Sequence, residues 1–301
     1  MDAAQLQRKK VNTASLSVIS NTFLILIKLA AGLLSGSVSI ISEAIHSSMD
    51  LLAAIIAFFS VKVSNNPPDE KHPYGHGKFE NVSGVIEAVL IFIAAGWIIY
   101  EAVHKLVLLN NGEALEIGYL EVGFAVMFTS ALVNTIVARK LYKTAKLTDS
   151  VALEADALHL KTDVYTSIGV GVGLVLIMIT GYQILDPIIA IIVALFIIFE
   201  SFVLLKKAYS PLLDTTLPED DLAVIHNTLS KFVKEDTNYH QLRTRKSGNF
   251  KYVDMHLELP EQVTVKESHD LCDDIETALK SKIKHLEVTI HIEPRENRQQ
   301  S

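Results

Sequence analysis

Through the first two-thirds of the chain, long apolar runs are broken only by short charged, glycine or proline clusters; beyond residue 210, apolar and polar residues alternate over short distances. A transmembrane helix needs roughly 20 mostly apolar residues. Six stretches meet that length, at about 12–34, 38–63, 82–108, 117–141, 150–180 and 184–206, and predict a bundle of six membrane-spanning helices. Their connections alternate in charge. Arg8, Lys9 and Lys10 precede the first stretch, Lys71 and Lys78 lie in the second connection, Arg139, Lys140, Lys143 and Lys146 in the fourth, and Lys206 and Lys207 follow the sixth. The intervening connections at 35–37, 110–118 and 181–186 carry no Lys or Arg. Cationic loops stay in the cytoplasm, which predicts a multi-pass protein of the inner (cytoplasmic) membrane with both termini cytoplasmic.

After Ser210-Pro211 the period changes: a helix is expected at 219–234, strands at 239–246 and 250–259, a second helix at 265–282 and a last strand at 286–293. Val253, Met255, Leu257 and Leu259 alternate with Asp254, His256 and Glu258, the mark of a sheet with one apolar and one polar face. The predicted organisation is a transmembrane domain over 1–209, a small αββαβ cytoplasmic domain of ferredoxin-like type over 210–294 and a flexible tail over 295–301.

Composition agrees with a membrane protein, at 50% hydrophobic and 20% charged residues with a mean hydropathy of +0.32. Cys272 is the single cysteine, which excludes an intramolecular disulfide and argues against a thiolate-rich metal site. A net charge of -7 gives no reason to expect a nucleic-acid partner. The first apolar stretch is of spanning length and lacks a small-residue cleavage pattern, so it reads as a retained helix.

Polar residues inside the apolar stretches carry the chemistry. Glu43-Ala44-Ile45-His46 leads to Asp50, and Asp156-Ala157-Leu158-His159 leads to Asp163. Residues four apart share a helix face, so His46 with Asp50 and His159 with Asp163 each form half of a ligand set. Two imidazoles and two carboxylates suit tetrahedral Zn2+ better than the oxygen shells of Ca2+ and Mg2+ or the sulfur ligands of Cu(I). Burying two aspartates at mid-span costs roughly 5–7 kcal/mol on the insertion scale, a cost that a purely structural role would leave without return. Imidazole binds metal only when neutral, so protons compete for the site and supply a counter-substrate.

Two further clusters stand outside the spans. Asp69, His72 and His76 flank the turn-forming Pro73-Tyr74-Gly75 and fit a three-ligand site with an open position. His240, His256, His269, His291 and Glu293, spread over three strands and a helix, point to a binuclear regulatory Zn2+ site on a shared surface. Glu43 and Asp156 are candidates for proton relay or for supporting the ligands, with a surface-facing role left open. Asn21, Lys28, Glu87, Asn134 and Glu200 are polar positions expected to face the bundle or to snorkel. Gly32, Gly36, Gly96, Gly169, Gly171 and Gly173 are expected to allow close helix packing, and Leu158 to seal one side of the site.

The six spans, the paired His/Asp segments, the His-Pro-Tyr-Gly-His-Gly-Lys segment at 72–78, the Leu-Arg-Thr-Arg-Lys-Ser-Gly segment at 242–248 and the terminal αβ domain resemble the cation diffusion facilitator family. The resemblance implies a divalent-metal/proton antiporter, not an enzyme, that works as a homodimer by alternating access. It implies transport through His46, Asp50, His159 and Asp163, with His46 in the pattern of zinc-preferring members. It also places metal on the loop and cytoplasmic clusters, and a dimer-locking salt bridge at Lys78 and Asp214. Glu293 departs from the pattern, standing where well-known bacterial members carry Asp. Other readings are the same transporter carrying Fe2+, Cd2+, Co2+ or Mn2+, a membrane-tethered metal sensor, and an intramembrane metallohydrolase; for the last, no His-Glu-x-x-His motif is present.

Overall fold

The computed structural model describes residues 3–35, 38–111, 120–180, 182, 184–233 and 237–295. The chain divides into two compact units, Met1–Tyr209 and Ser210–Ser301. Among the described residues, the first unit holds six helices: α1 (Ala3–Ser35), α2 (Val38–Ser64), α3 (Lys78–Asn110), α4 (Leu120–Thr148), α5 (Val151–Thr180) and α6 (Leu185–Tyr209). Several run past their apolar stretches. α1 starts at Ala3 rather than near 12, because Gln5 to Lys10 are good helix formers with no Gly or Pro among them. α6 stops at Ser210-Pro211, where proline lacks the donor needed to continue the ladder.

Among the described residues, Gln5–Ala31, Lys78–Asn110 and Pro187–Leu213 are each long and apolar enough to cross a membrane. Large apolar side chains such as Phe23, Ile93, Trp97, Phe199 and Phe202 face outward, a surface suited to lipid rather than water. Inside, α1 packs on α2 and α4, α4 on α5, and α3 on α6 and α5.

The packed faces are rich in alanine. Ala14, Ala138, Ala145, Ala152 and Ala157 join Val61, Leu141, Leu153 and Leu160 in one cluster. Ala88, Ala95 and Ala155 join Ile91, Ile197 and Leu204 in another. Apolar burial gives helices little reason to associate within lipid, and small residues allow the close approach on which dispersion contacts depend.

Gly84 takes this furthest. A Cβ there would lie 2.8 Å from Val151 Cγ1 and 3.0 Å from the Ala208 Cβ. Gly169 likewise sits against Val193, where a Cβ would come within 2.9 Å of Cγ2. The expectation for Gly96 is corrected, since a Cβ there meets nothing within 4 Å. The side chains around positions 32, 36, 171 and 173 lie outside the described residues.

The second unit opens with a 3-10 turn (Ser210–Leu213) and continues as α7 (Glu219–Leu229), β1 (Asn238–Ser247), β2 (Phe250–Leu259), α8 (Val265–Lys280) and β3 (Leu286–Pro294). α7 is shorter than expected: residues 230–233 leave the helix, and 234–236 lie outside the described residues. β3 reaches Pro294, and the Arg295 N–H donates to the Leu259 carbonyl at 2.8 Å, so the start of the expected tail is tied to the sheet. Residues 296–301 are outside the described residues. The sheet has the order β1-β2-β3, with β1 antiparallel and β3 parallel to β2.

Gly248, with φ +61°, takes the first of two turn positions between β1 and β2, the conformation of a tight hairpin. α8 begins with a capping box: Thr264 accepts from the Glu267 N–H at 3.3 Å, and Glu267 accepts from the Thr264 N–H at 2.9 Å. Those bonds to Thr264 hold the Glu267 carboxyl below its ordinary range.

Ile225 and Leu229 of α7 and Ile275 and Leu279 of α8 pack with Val253, Met255, Leu257 and Leu259 of β2. By the alternation of a strand, His256 and Glu258 stand on the opposite face. β1 needs an irregularity to do the same. Pairing with β2 shifts between His240 and Arg243, and Gln241 has φ +49°. This bulge lets Tyr239 and Leu242, three apart, both pack on the core.

Candidate metal centres

In the first unit, α2 supplies Asp50 and α5 supplies His159 and Asp163; one ligand atom from each lies within 4.8 Å of those of the other two. His159 Nε2 is 3.1 Å from Asp50 Oδ1, and both residues are buried. His46 falls in α2, one helical turn before Asp50, and its side chain lies outside the described residues.

Two asparagines support this cluster. Asn134 of α4 donates through Nδ2 to Asp163 Oδ2 at 3.4 Å, and Asn21 of α1 donates to the Asp50 carbonyl at 3.4 Å. His159 Nδ1 is buried and has no hydrogen-bond partner. One ring nitrogen therefore faces a carboxylate while the other is left bare. Asp156, one turn earlier on α5, is fully buried and accepts from Ser17 Oγ at 3.0 Å. Glu87 is also fully buried, with Ser83 Oγ at 3.4 Å.

The loop between α2 and α3 gathers Asp69, His72 and His76 within the same 4.8 Å criterion. Asp69 Oδ1 accepts from the backbone N–H groups of His72 at 2.6 Å and Lys71 at 2.9 Å, closing a local turn. Asp69 also lies 3.0 Å from His72 Nδ1 and 3.3 Å from His76 Nε2. The His72 N–H bond, more than any other interaction, holds the Asp69 carboxyl below its ordinary range. Asp69 is thus ionised at neutral pH. Gly75, with φ +76°, makes the reversal that brings the His76 ring beside His72, at 4.4 Å between centroids and tilted by 45°. His76 is buried with a bare Nδ1, whereas Asp69 and His72 are exposed, so the cluster opens on one side.

In the second unit the strand register puts His240 opposite His256, and His256 opposite His291, in one row across the polar face. His240, His256 and Glu293 form the tight group. Glu293 reaches His256 Nδ1 at 2.8 Å and His240 Nε2 at 3.3 Å. His291 stands at the rim, exposed, with Nε2 at 3.7 Å from Glu293. His269 is not brought to this row; it projects from α8 with Nε2 3.6 Å from Asp273.

Glu258 was missed by sequence reasoning and belongs here, 3.4 Å from His240 Nδ1. Its spacing of two from His256 on β2 was the signal that could have found it. Lys78 opens α3 in the first unit. Asp214 follows the 3-10 turn in the second unit, with φ +52° and Arg245 Nη1 at 3.9 Å.

A further buried centre had no sequence signal. Glu80, in the first turn of α3, is fully buried and binds Lys10 Nζ, Ser64 Oγ at 2.7 Å and Ser150 Oγ.

Comparison with known proteins places both units. Residues 14–213 match the cation efflux transmembrane domain, and residues 217–295 match the cytoplasmic domain of cation efflux proteins. The chain belongs to the cation efflux, or cation diffusion facilitator, family. The transporter is 37% identical over 271 residues to an uncharacterized transporter of Synechocystis sp., covering 90% of this chain and 86% of the relative. It is 32% identical over 282 residues to the cation-efflux pump FieF of Shewanella oneidensis, covering 92% of each chain. Among solved structures, the metal-bound C-terminal domain of the CzcD transporter from Thermotoga maritima is 29% identical and covers 27% of this chain and 93% of that one, with a TM-score of 0.24. The transporter is therefore an integral membrane protein that handles divalent metal, with a transmembrane domain followed by a cytoplasmic one.

Proposed function

We propose that the transporter exports Zn2+ from the cytosol in exchange for protons, through His46, Asp50, His159 and Asp163. The observation that carries this reading is the convergence of Asp50, His159 and Asp163 at a buried position between α2 and α5. In this reading all six helices cross the inner membrane, both termini are cytoplasmic, and two protomers alternate together between inward-facing and outward-facing states. Metal and proton compete for the imidazole nitrogens, so a proton arriving from outside displaces the ion it is exchanged for. The direction is supported by the relative named as an efflux pump. The choice of zinc rests on the mixed nitrogen and oxygen donors, with His46 as the fourth ligand.

The test is flux into proteoliposomes for Zn2+, Cd2+, Fe2+, Co2+ and Mn2+, with and without an imposed pH gradient. Zinc flux is expected to respond to the gradient, and His46→Asp to retain zinc flux while admitting Cd2+. Zinc flux indifferent to the gradient would remove proton coupling, and a wild-type preference for another ion would move the substrate.

The cytoplasmic row is read as a regulatory site that holds Zn2+ between His240, His256 and Glu293, with His291 beside it, the loop cluster serving to collect ions from the cytosol. Lys78 and Asp214 are read as the salt bridge between protomers. Zinc titration of the full-length protein in detergent is expected to show at least one equivalent fewer in His256→Ala, with a weaker dimer. Unchanged stoichiometry would exclude the cytoplasmic site.

A further inference from the structure

Arg8, Lys9 and Lys10 form one cationic run, but α1 sends them to different places. Lys10 is buried on Glu80. Arg8 and Lys9 instead line a cavity of about 390 Å3, together with Gln5, Asn12 and Thr13 of α1 and Lys140 of α4. The α1 residues recur at steps of three and four, so they form one face of that helix. Thr13 also closes the contact between the two helices, with its Oγ1 3.3 Å from Thr144 Oγ1. Three cations therefore share one concave space. Among the described residues, no carboxylate lines it or forms an ion pair with Arg8, Lys9 or Lys140.

The place of this cavity along the helices points to its occupant. The first apolar stretch begins at about residue 12 and the fourth ends at about 141, so the cations lie within about one turn of both boundaries. From the cavity into the apolar stretches, Ile19 and Phe23 continue the stripe of Asn12 on α1, and Ile136 and Leu132 follow Lys140 on α4; all four are exposed. Positive charge at the boundary with an apolar surface running on from it matches a phosphate that carries acyl chains. A free phosphate would leave the apolar part unused. The volume falls at the small end of the roughly 300–1,000 Å3 of ligand pockets, enough for a headgroup.

We propose that this cavity seats the headgroup of an anionic phospholipid, and that the bound lipid ties α1 to α4 at the cytoplasmic surface of the membrane. The inference rests on the reading of α1 and α4 as spans with cytoplasmic ends at Ala3 and Thr148. Arg8 offers phosphate oxygens a planar fork of donors, Lys9 and Lys140 offer point charges, and Asn12 adds an amide donor. A zwitterionic headgroup brings its own ammonium, which the three cations repel, so the cavity selects by net charge. Each cation near the membrane surface strengthens the hold on an anionic lipid by about fivefold. α1 also carries Asn21 and α4 carries Asn134, so the tie joins the two helices that support Asp50 and Asp163.

The test counts phosphatidylglycerol bound to full-length protein in neutral detergent by native mass spectrometry, against phosphatidylcholine of the same acyl chains. Phosphatidylglycerol is expected to bind at least about tenfold more tightly and to raise the unfolding temperature. Arg8→Gln, Lys9→Gln and Lys140→Gln combined are expected to lower that affinity by at least about tenfold. Arg139→Gln, Lys143→Gln and Lys206→Gln combined remove as much charge outside the cavity and are expected to stay within about threefold. Equal binding of the two lipids overturns the proposal, as does an equal loss in both triple variants. Displacement of the lipid by inorganic phosphate assigns the cavity to a soluble anion and overturns it too. If the first triple variant does not fold, Lys140→Gln alone, at an exposed position, carries the decision: a loss of at least about threefold is expected, and no loss overturns the site. Labelling of Ala4→Cys in Cys272→Ser protein, with an impermeant maleimide on intact spheroplasts, separates the two ideas. Labelling from outside overturns the topology on which the site rests; protection without a preference for phosphatidylglycerol overturns the site alone.

Discussion

Asp50→Ala is expected to lower zinc flux in proteoliposomes by at least a hundredfold while leaving the protein folded. The substitution removes one of the four proposed ligands, and changes in groups that merely support metal ligands already cost about 10–100-fold. It also strips the partner from His159 Nε2, 3.1 Å away, on a ring whose Nδ1 is already bare. One anchor of this segment is untouched, because Asn21 binds the backbone carbonyl of residue 50 and that bond survives. Removing a buried charge relieves a desolvation cost of about 2.5–3.5 kcal/mol, against about 1–3 kcal/mol for the His159 ring left without its partner, so the unfolding temperature should change little. Flux and stability thus move apart, which general damage to the bundle would not produce. Undiminished flux would show that the ion travels elsewhere.

Glu80→Ala is expected to act in the opposite way, destabilising the transmembrane unit by about 3–5 kcal/mol. Glu80 joins four segments: Lys10 comes from α1, Ser64 from the end of α2, and Ser150 from the residue just before α5, while Glu80 itself opens α3. An acid in the first turn of a helix is also favoured by the exposed N–H groups there. Alanine would leave the Lys10 ammonium, 3% exposed, without the carboxylate that justifies its burial. The cost comes from that stranded charge rather than from the worth of the pair, so replacing both partners should recover most of it. Lys10→Met with Glu80→Met is accordingly expected to unfold within about 1 kcal/mol of the native protein. Unfolding in denaturant, followed by helix content, measures both variants. An unchanged midpoint in Glu80→Ala would mean that Lys10 finds another partner or reaches water.

Glu80 also illustrates what could not be read from the chain. Lys10 looked like one of several positive charges fixing topology, and Glu80 carried no signal of its own; nothing within either segment marks them as partners 70 residues apart. The pairing of His159 with Asp163 was legible because a helix repeats every 3.6 residues, so the four-residue step between them already places both on one face. The polar face of the sheet was legible for the same kind of reason, through alternation along β2. Within one chain His269 stands apart from the row, which the structure gives to strands paired in register.

Sequence by itself therefore determined the order of the apolar helices, the faces of individual helices and strands, and the residue types able to hold a metal ion. Each depends on a local period or on local apolar length. Tertiary structure alone decided that Asp50 meets His159 across α2 and α5, that Asn134 and Asn21 support that meeting, that a bulge at Gln241 turns β1 to suit both faces, and that Lys28 meets Ser47 across α1 and α2. Those pairings depend on how helices and strands slide past one another. That register is set by small residues such as Gly84 packing closely over distances at which no sequence period survives.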